Sequence, residues 1–578
     1  MSKKKLSYFK VFTIISFVLV ISTLGSLLII DTPLLNGQTI RFTDENKDIL
    51  RGKYYIGERD AGIIFLEGFG SDQIALRNVM TEFAQLKIHM FSFDFSGQGK
   101  SSGVLGFDNA ETDRLAKQAL LSKEVFKNLT GLTDNQIMFF GHSMGARVAL
   151  QAATMDSNNI AGLILFGTQL NLIPNIQSSF FTGVEDTNLT WVQNLGPSNP
   201  DIDTLMISGK LDDVLTPEAA NKLFQKLTNQ TATSGYEQIV EISGVTKELL
   251  IIKGLVHNYE VYSSKAILKS LSFANEKLGI NSRQIFNSAR TMGRITLWFI
   301  SLISLFGSII LGSKWLDIKS SIQEEKIDNG KESEPELQEE PDQLKILNTK
   351  KYLWMKLLLL FASLPIAVIL ASIFLAIPLG MPVFNIIYVG IFGGFGLLLF
   401  LLFRIGKMPA TSGKWKPNFR IIKDDINWFN ILAASAAFLC IVLFSILFTR
   451  SGFFFVYPLN SRLIWLVLFT IFSIPGFYMG QLEMQIIRKQ KSKIGPFFAW
   501  NTLIILIPFF LFTIFYLILN STSGFLGGFH GLVILAIVIT SGDIFYKLSK
   551  NVLITAIFQS FLLQLLVLPQ GSLFLVFY

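Results

Sequence analysis

Gly141-His142-Ser143-Met144-Gly145 sets one hydroxyl between two residues without side chains. A serine hydroxyl is a poor nucleophile at its own pKa. It needs a base to take its proton, an acid to orient that base, and N–H donors for the oxyanion. The motif follows the apolar run 137–140 and precedes the helical pattern 144–154. A strand-to-helix turn of that kind is so tight that its neighbours must be small, and it lifts the hydroxyl above the sheet edge. The following helix aims its N-terminus at the developing negative charge. The spacing predicts Ser143 as the nucleophile of an acyl-transfer reaction.

The base follows by elimination, because the chain has only four histidines. His142 sits inside the elbow and is expected to point away from the nucleophile, His530 lies in an apolar run, and His89 precedes Ser143 and opens a strand. In a sheet with this elbow the chain order is serine, acid, histidine. Only His257, just after the run 249–252, comes late enough. The acid should follow the preceding strand, 204–207. There Gly209-Lys210-Leu211-Asp212-Asp213 offers two carboxylates, and the Gly-x-x-Asp spacing favours Asp212 over Asp213. The interval to His257 is long, which points to an inserted excursion over 228–245. Two backbone N–H groups complete the set: Met144, directly after the nucleophile, and Phe69, in the Glu67-Gly68-Phe69-Gly70 turn. No metal and no organic cofactor is required by this chemistry.

These residues need a scaffold. Strand patterns at 62–66, 89–93, 137–140, 162–166, 204–207 and 249–252 alternate with helical patterns at 75–86, 110–128, 144–154 and 218–227. Such alternation predicts a mostly parallel sheet with helices on both faces. An antiparallel pair, 38–43 and 52–56, leads into it. A stretch between Gly167 and Asp203 carries Ile173, Ile176, Phe180, Phe181 and Trp191, and reads either as an apolar acyl-binding lid or as a loop with its own small core.

The rest of the chain is of another kind. Of 578 residues half are apolar, 53 are Phe, and the mean hydropathy is +0.47. Lys3, Lys4 and Lys5 precede an apolar stretch at 11–30 with no small-residue cleavage site after it. At about 20 residues it is long enough to span a bilayer, which predicts an uncleaved anchor. Further spans are expected near 293–313, 353–376, 382–403, 429–449, 461–482, 496–519, 525–546 and 552–575, roughly nine in all with the anchor. The region of Pro365, Pro378 and Pro382 marks a broken or re-entrant pair. The expected division is an anchor (1–34), a hydrolase-like domain (35–280), a linker and span (281–313), a disordered charged loop (314–351) and a polytopic membrane domain (352–578). The single cysteine, Cys440, excludes an internal disulfide.

The net charge of +8 does not indicate nucleic acid, because the basic residues cluster at the ends of apolar runs. With Lys3–Lys5 cytoplasmic, alternation puts Arg404, Lys407, Lys414, Lys416, Arg420 and Lys423 inside, together with 488–493 and Lys547 and Lys550. Three basic loops thus agree on one orientation, with 35–280 outside the cell membrane. Glu483, Asp543 and His530 lie in or near spans. Glu483 and Asp543 fall near predicted cytoplasmic ends, where solvation is the simpler account.

Taken together, residues 35–280 resemble the α/β-hydrolase superfamily, specifically its serine aminopeptidase and monoacylglycerol-lipase-like group. Four blocks match in order: Glu67-Gly68-Phe69-Gly70, the run Asp94-Phe95-Ser96-Gly97-Gln98-Gly99-Lys100-Ser101-Ser102-Gly103, the Ser143 elbow, and the late Asp and His. One position departs. Glu67 stands where the family has His, so the packing of the oxyanion loop does not follow from the resemblance. The resemblance implies an α/β-hydrolase fold fused to a helical membrane domain, and an ester or amide hydrolase working through an acyl-enzyme. The bilayer setting favours lipid or lipid-linked acyl esters over peptides, with membrane lipids as partners; an acyltransferase would use the same intermediate. A transporter or membrane scaffold carrying a regulatory hydrolase-like domain is the alternative reading. In architecture the chain is also similar to the inositol deacylases that remodel glycolipid anchors.

Overall fold

A computed structural model of the chain describes residues 3–106, 109–156, 160–168, 190–230, 236–280, 285–328, 345–375, 386–412, 427–452, 463–490, 494–518 and 522–567. It opens with helix α1 (Lys3–Ile30). Nine strands follow in one sheet: β1 (Gln38–Thr43), β2 (Ile49–Tyr55), β3 (Arg59–Leu66), β4 (Ile88–Asp94), β5 (Ile137–His142), β6 (Gly162–Phe166), β7 (Thr204–Gly209), β8 (Glu237–Ile242) and β9 (Val245–Ile252). The helices between them are α2 (Arg77–Phe83), α3 (Asn109–Thr130), α4 (Met144–Met155), α5 (Thr190–Gln193), α6 (Pro217–Thr228) and, after β9, α7 (Ser264–Lys277).

The strand order is β1-β2-β4-β3-β5-β6-β7-β9-β8, and the contiguous stretch from β4 to β9 is parallel. This is the α/β-hydrolase fold. Burial explains the sequence patterns. β5 and β6 are buried at every position, because helices cover both faces of the central sheet. Phe91, Phe93, Phe126 and Phe139 pack on one face, and Phe65, Phe83, Phe140 and Phe166 on the other. The edge strands β1 and β8 keep an alternating or exposed pattern. The excursion expected over 228–245 is largely β8, an added edge strand antiparallel to β9, with 231–235 outside the described residues. The stretch carrying Ile173, Ile176, Phe180 and Phe181 also lies outside them, whereas Trp191 is buried in the main core.

Register places the loops that matter. Leu66 on β3 pairs with Gly141 on β5, so the turn from Glu67 to Gly70 and the turn at Ser143 leave the sheet side by side. Gly209 on β7 pairs with Ile252 on β9, which does the same for the loops holding Asp212 and His257.

The helical region comprises α8 (Ala289–Asp328), α9 (Thr349–Ala362), α10 (Leu364–Leu375), α11 (Ile386–Val389) running through a π-turn (Gly390–Gly394) into α12 (Phe395–Arg404), then α13 (Trp428–Gly452), α14 (Leu463–Lys489), α15 (Ile494–Ile518), α16 (Thr522–Ser549) and α17 (Val552–Val567). Among the described residues six helices are long and apolar enough to cross a membrane, or seven if the α9–α10 pair, bent by 41°, is one broken span. The break falls at Ser363–Leu364, directly before Pro365, while Pro378 and Pro382 lie outside the described residues. Gly390–Arg404 and Val552–Val567 are shorter apolar helices. The sequence reading expected roughly nine spans; the described residues hold six or seven of that length, and parts of the expected spans at 382–403 and 552–575 lie outside the described residues. One expectation is corrected. Residues 314–328 do not begin a disordered loop but continue α8, where Lys, Ile, Gln and Glu favour a helix. The part at 329–344 lies outside the described residues.

Helices α1 and α8 lie side by side, with Val20, Leu24 and Leu27 against Leu305 and Ile309. At their end a buried polar junction ties them to α2. Asp31 accepts from Arg294 and lies 3.3 Å from Arg77 Nη1. Glu82 Oε1 accepts from the Thr291 N–H at 2.7 Å and its hydroxyl at 2.9 Å. The Arg290 guanidinium donates to the Thr81 carbonyl at 2.8 Å.

Candidate active site

Ser143 sits between β5 and α4 with φ 58° and ψ −119°, a backbone strained for any residue with a Cβ. The surroundings enforce it. A Cβ on Gly145 would lie 2.2 Å from the Leu66 carbonyl oxygen, and one on Gly141 2.3 Å from that of Gly145. Both flanking glycines are therefore required by close approach. The Ser143 N–H donates to the Phe166 carbonyl at 2.9 Å, which locks the turn to β6.

The residues expected to act with Ser143 meet it. Ser143 Oγ lies 2.9 Å from His257 Nε2, and His257 Nδ1 lies 2.8 Å from Asp212 Oδ2. Asp212 Oδ1 accepts from the Val214 and Leu215 N–H groups at 2.9 and 2.8 Å, so both carboxylate oxygens are engaged. All three side chains are buried. The geometry selects Asp212; Asp213, the next residue, is half-buried and outside this chain of bonds.

Two groups in this cluster were not read from sequence as part of it. His142 does not simply turn away: its ring stacks on that of His257 with centroids 5.0 Å apart. Burial, then the nearby His257, lowers its pKa to about 3, so it stays neutral. Glu260 accepts from the Gly209 N–H at 2.8 Å through Oε1. Its Oε2 lies 3.7 Å from His142 Nε2 and 4.0 Å from His257 Nδ1. Burial and then Asp212 push the Glu260 carboxyl well above the usual carboxylate range. The only hint in the sequence is a carboxylate one helical turn past His257. His142, His257 and Glu260 bring possible ligand atoms within 4.8 Å of one another. Both ring nitrogens of His257 are already bonded, so a metal there would have to displace Ser143 or Asp212.

The turn from Glu67 to Gly70 is held by Glu67 itself. Glu67 is fully buried, and its Oε1 accepts from the Phe95 N–H at 3.0 Å and from Gln98 Nε2 at 2.9 Å. Gln98 Oε1 in turn accepts from the Gly70 N–H at 2.7 Å. Glu67, Asp72 and Asp94 form a group of buried carboxyls. Burial, then Asp94 and Asp72, raises the Glu67 pKa well above its ordinary value; burial and Asp94 raise that of Asp72 to about 8. The loop lies against the nucleophile, since a Cβ on Gly68 would meet Ser143 Cβ at 3.3 Å. Phe69 follows in this loop, and Met144 is the first residue of α4, whose opening N–H groups have no helical carbonyl to serve.

Residues 57–201 match the family model described as serine aminopeptidase, S33. Among solved structures, similarity is found to DcsB in complex with its substrate analogue (17% identity, 43% of this chain and 99% of that one, TM-score 0.31). It is also found to the Pyrococcus furiosus esterase Pf2001 (16%, 42% and 92%, TM-score 0.32). A third is a thermostable carboxyl esterase from Bacillus coagulans bound to glycerol (16%, 42% and 99%, TM-score 0.32).

Proposed function

We propose that residues 35–280 form a serine hydrolase that cleaves ester bonds of lipid or lipid-linked acyl substrates at a membrane surface. The observation that carries this reading is the unbroken relay from Ser143 Oγ through His257 to Asp212, at 2.9 and 2.8 Å. His257 takes the Ser143 proton as Oγ attacks the ester carbonyl. The Phe69 and Met144 N–H groups hold the tetrahedral oxyanion, and Asp212 keeps His257 in the tautomer whose Nε2 accepts. His257 then gives its proton to the leaving alkoxide. Water enters, loses a proton to His257 and releases the acid from Ser143. The reaction calls for no metal and no organic cofactor.

The lipid class is favoured by the placement of the domain. It is joined to α1 at one end and α8 at the other, and Asp31, Arg294, Arg77, Glu82 and Thr291 close the joint. A domain held at a bilayer meets membrane substrates at raised effective concentration and gains nothing towards soluble ones. The distribution of basic residues favours the outer face of the cell membrane.

The test uses the full chain in liposomes with three substrates: a long-chain glycerolipid ester in the bilayer, a short-chain ester in solution, and an aminoacyl anilide. The lipid ester should be consumed with the highest turnover. Cleavage of the anilide with the lipid left intact would reject the lipid reading in favour of a peptidase.

A further inference from the structure

Lys356 is 1% exposed, within the broken span α9–α10, and is paired with Glu483 of α14. The Tyr352 hydroxyl donates to Glu483 Oε1 at 2.6 Å, and the Lys356 ammonium donates to Asn501 Oδ1 at 2.6 Å. The expectation that Glu483 is solvated at a helix end is therefore corrected: it is fully buried. Ion pairs of this kind carry a desolvation penalty that apolar side chains of similar volume avoid. Packing alone does not call for one.

The cluster borders a cavity of about 40 Å³. That is room for about three water-sized groups. Its walls include Lys356, Asn501, Gln481 and Gln559 on the polar side. Leu360, Phe392, Phe395, Leu399 and Phe477 form an apolar side. Gln481 and Gln559 are fixed, the first donating to the second at 2.9 Å and the second to the Val538 carbonyl at 3.0 Å. The helices around the cavity are interrupted. Phe392 lies in the π-turn, Pro475 precedes the lining residue Gly476, and α9 breaks before α10. At membrane depth irregular backbone is tolerated where it lines a cavity, and π-turns accompany functional sites.

We infer that this cavity is a binding site for the carboxylate of a long-chain fatty acid. Lys356 is the one charged residue among those lining it, so the site favours an anion. Among the described residues Glu483 and Asn501 are the hydrogen-bond acceptors of the ammonium, which has three donors and also lies 5.8 Å from the centroid of the Phe395 ring on the cavity wall. A single cation flanked by amides suits a monoanion, and the volume suits a carboxylate rather than a phosphate. The apolar wall takes the first methylenes of the chain. An amine would face Lys356 with like charge.

Gly480 gives a clean probe. It lines the cavity, and a Cβ built on it meets no atom within 4 Å. Gly480→Leu therefore fills the space and leaves the ion pair intact. The experiment labels full-length Ser143→Ala protein in phosphatidylcholine nanodiscs with a diazirine-bearing palmitic acid, so that no acyl-enzyme confuses the result. Adducts should map to α9, the π-turn and α12, α14 or α15, which supply the apolar wall. Oleic acid should compete about tenfold better than oleyl alcohol, and Gly480→Leu should cut labelling about tenfold or more with an unchanged melting midpoint. In Lys356→Met/Glu483→Gln, acid and alcohol should compete alike. Adducts confined to other helices, labelling undiminished in Gly480→Leu, or equal competition in the unmodified cavity would each overturn the assignment.

Discussion

Glu67 and Gln98 form a buried pair in which Gln98 Nε2 donates to Glu67 Oε1 at 2.9 Å while Gln98 Oε1 holds the Gly70 N–H at 2.7 Å. The turn proposed to stabilise the oxyanion is thus positioned by two side chains from different loops. Burial raises the Glu67 pKa, and the accepting atom is a single oxygen, Oε1, so Glu67→Gln preserves the acceptor and the shape. Turnover of a chromogenic ester should change little. Glu67→Ala and Gln98→Leu release the loop and should lower kcat by about 10² with KM less affected, the range seen when one oxyanion donor is lost. An active Gln98→Leu enzyme would remove the loop from the mechanism.

The relay makes a second prediction. Fluorophosphonate labelling should vanish in Ser143→Ala, and His257→Ala should lower turnover by roughly 10³ or more. Asp212→Asn should cost about 10⁴ in kcat, because the amide favours the wrong tautomer of His257. Asp213→Asn should be close to unmodified protein. The opposite ranking of the two Asp variants moves the acid by one residue.

Stability should depend on pH through the buried carboxyls. The Asp72 pKa is raised to about 8, whereas an unfolded Asp titrates near 3.9. The folded state therefore keeps a proton that the unfolded chain has lost, so this stability is full below about pH 4 and is lost as pH rises through about 8. His142 acts with the other sign. Its pKa is lowered to about 3, so its contribution is full above about 6.5 and is lost as pH falls. Between about pH 6.5 and 8 His142 adds no slope, and Asp72 contributes at most about 1.4 kcal/mol per pH unit beside any share from Glu67 and Glu260. The melting midpoint of the full-length protein should fall over that window. Asp72→Asn keeps the Oδ1 acceptor for the Ile74 and Ala75 N–H groups and should flatten the fall. An unchanged slope would assign the proton elsewhere.

Orientation can be read chemically in a Cys440→Ser background. A cysteine at the exposed position Glu218 should react with an impermeant thiol reagent on intact cells, and one at Ser333 only after lysis. The reverse pattern inverts the topology and puts the hydrolase domain in the cytoplasm.

The sheet was legible because its core strands are continuous apolar runs and its helices are not. The 137–140 run needed only extension to His142, and 162–166 is β6 as read. Ser143, Asp212 and His257 were legible because chain order and loop position leave few alternatives. Glu67 was visible only as a departure from pattern, since its function depends on Gln98, 31 residues away and brought near by the crossover between β3 and β4. Lys356 was hidden for a related reason. It falls inside the span expected at 353–376, a few residues after Lys350 and Lys351, while its partner Glu483 is 127 positions further on. Local periodicity carries no information about pairs of that separation.

The joint at Asp31, Arg294 and Arg77 fixes an angle as well as a distance. α1 and α8 pack along their length, and neither end of the joint has slack, because Asp31 and Arg294 are buried. A paired stalk answers a change in hydrocarbon thickness by tilting. Arg77 opens α2, and the next residue, Asn78, donates its side-chain N–H to the Val261 carbonyl at 2.7 Å, in the segment that follows His257. The helix pair and the loop that carries His257 are thus one continuous run of bonded side chains, and the domain has no hinge at Asp31, Arg294 or Asn78.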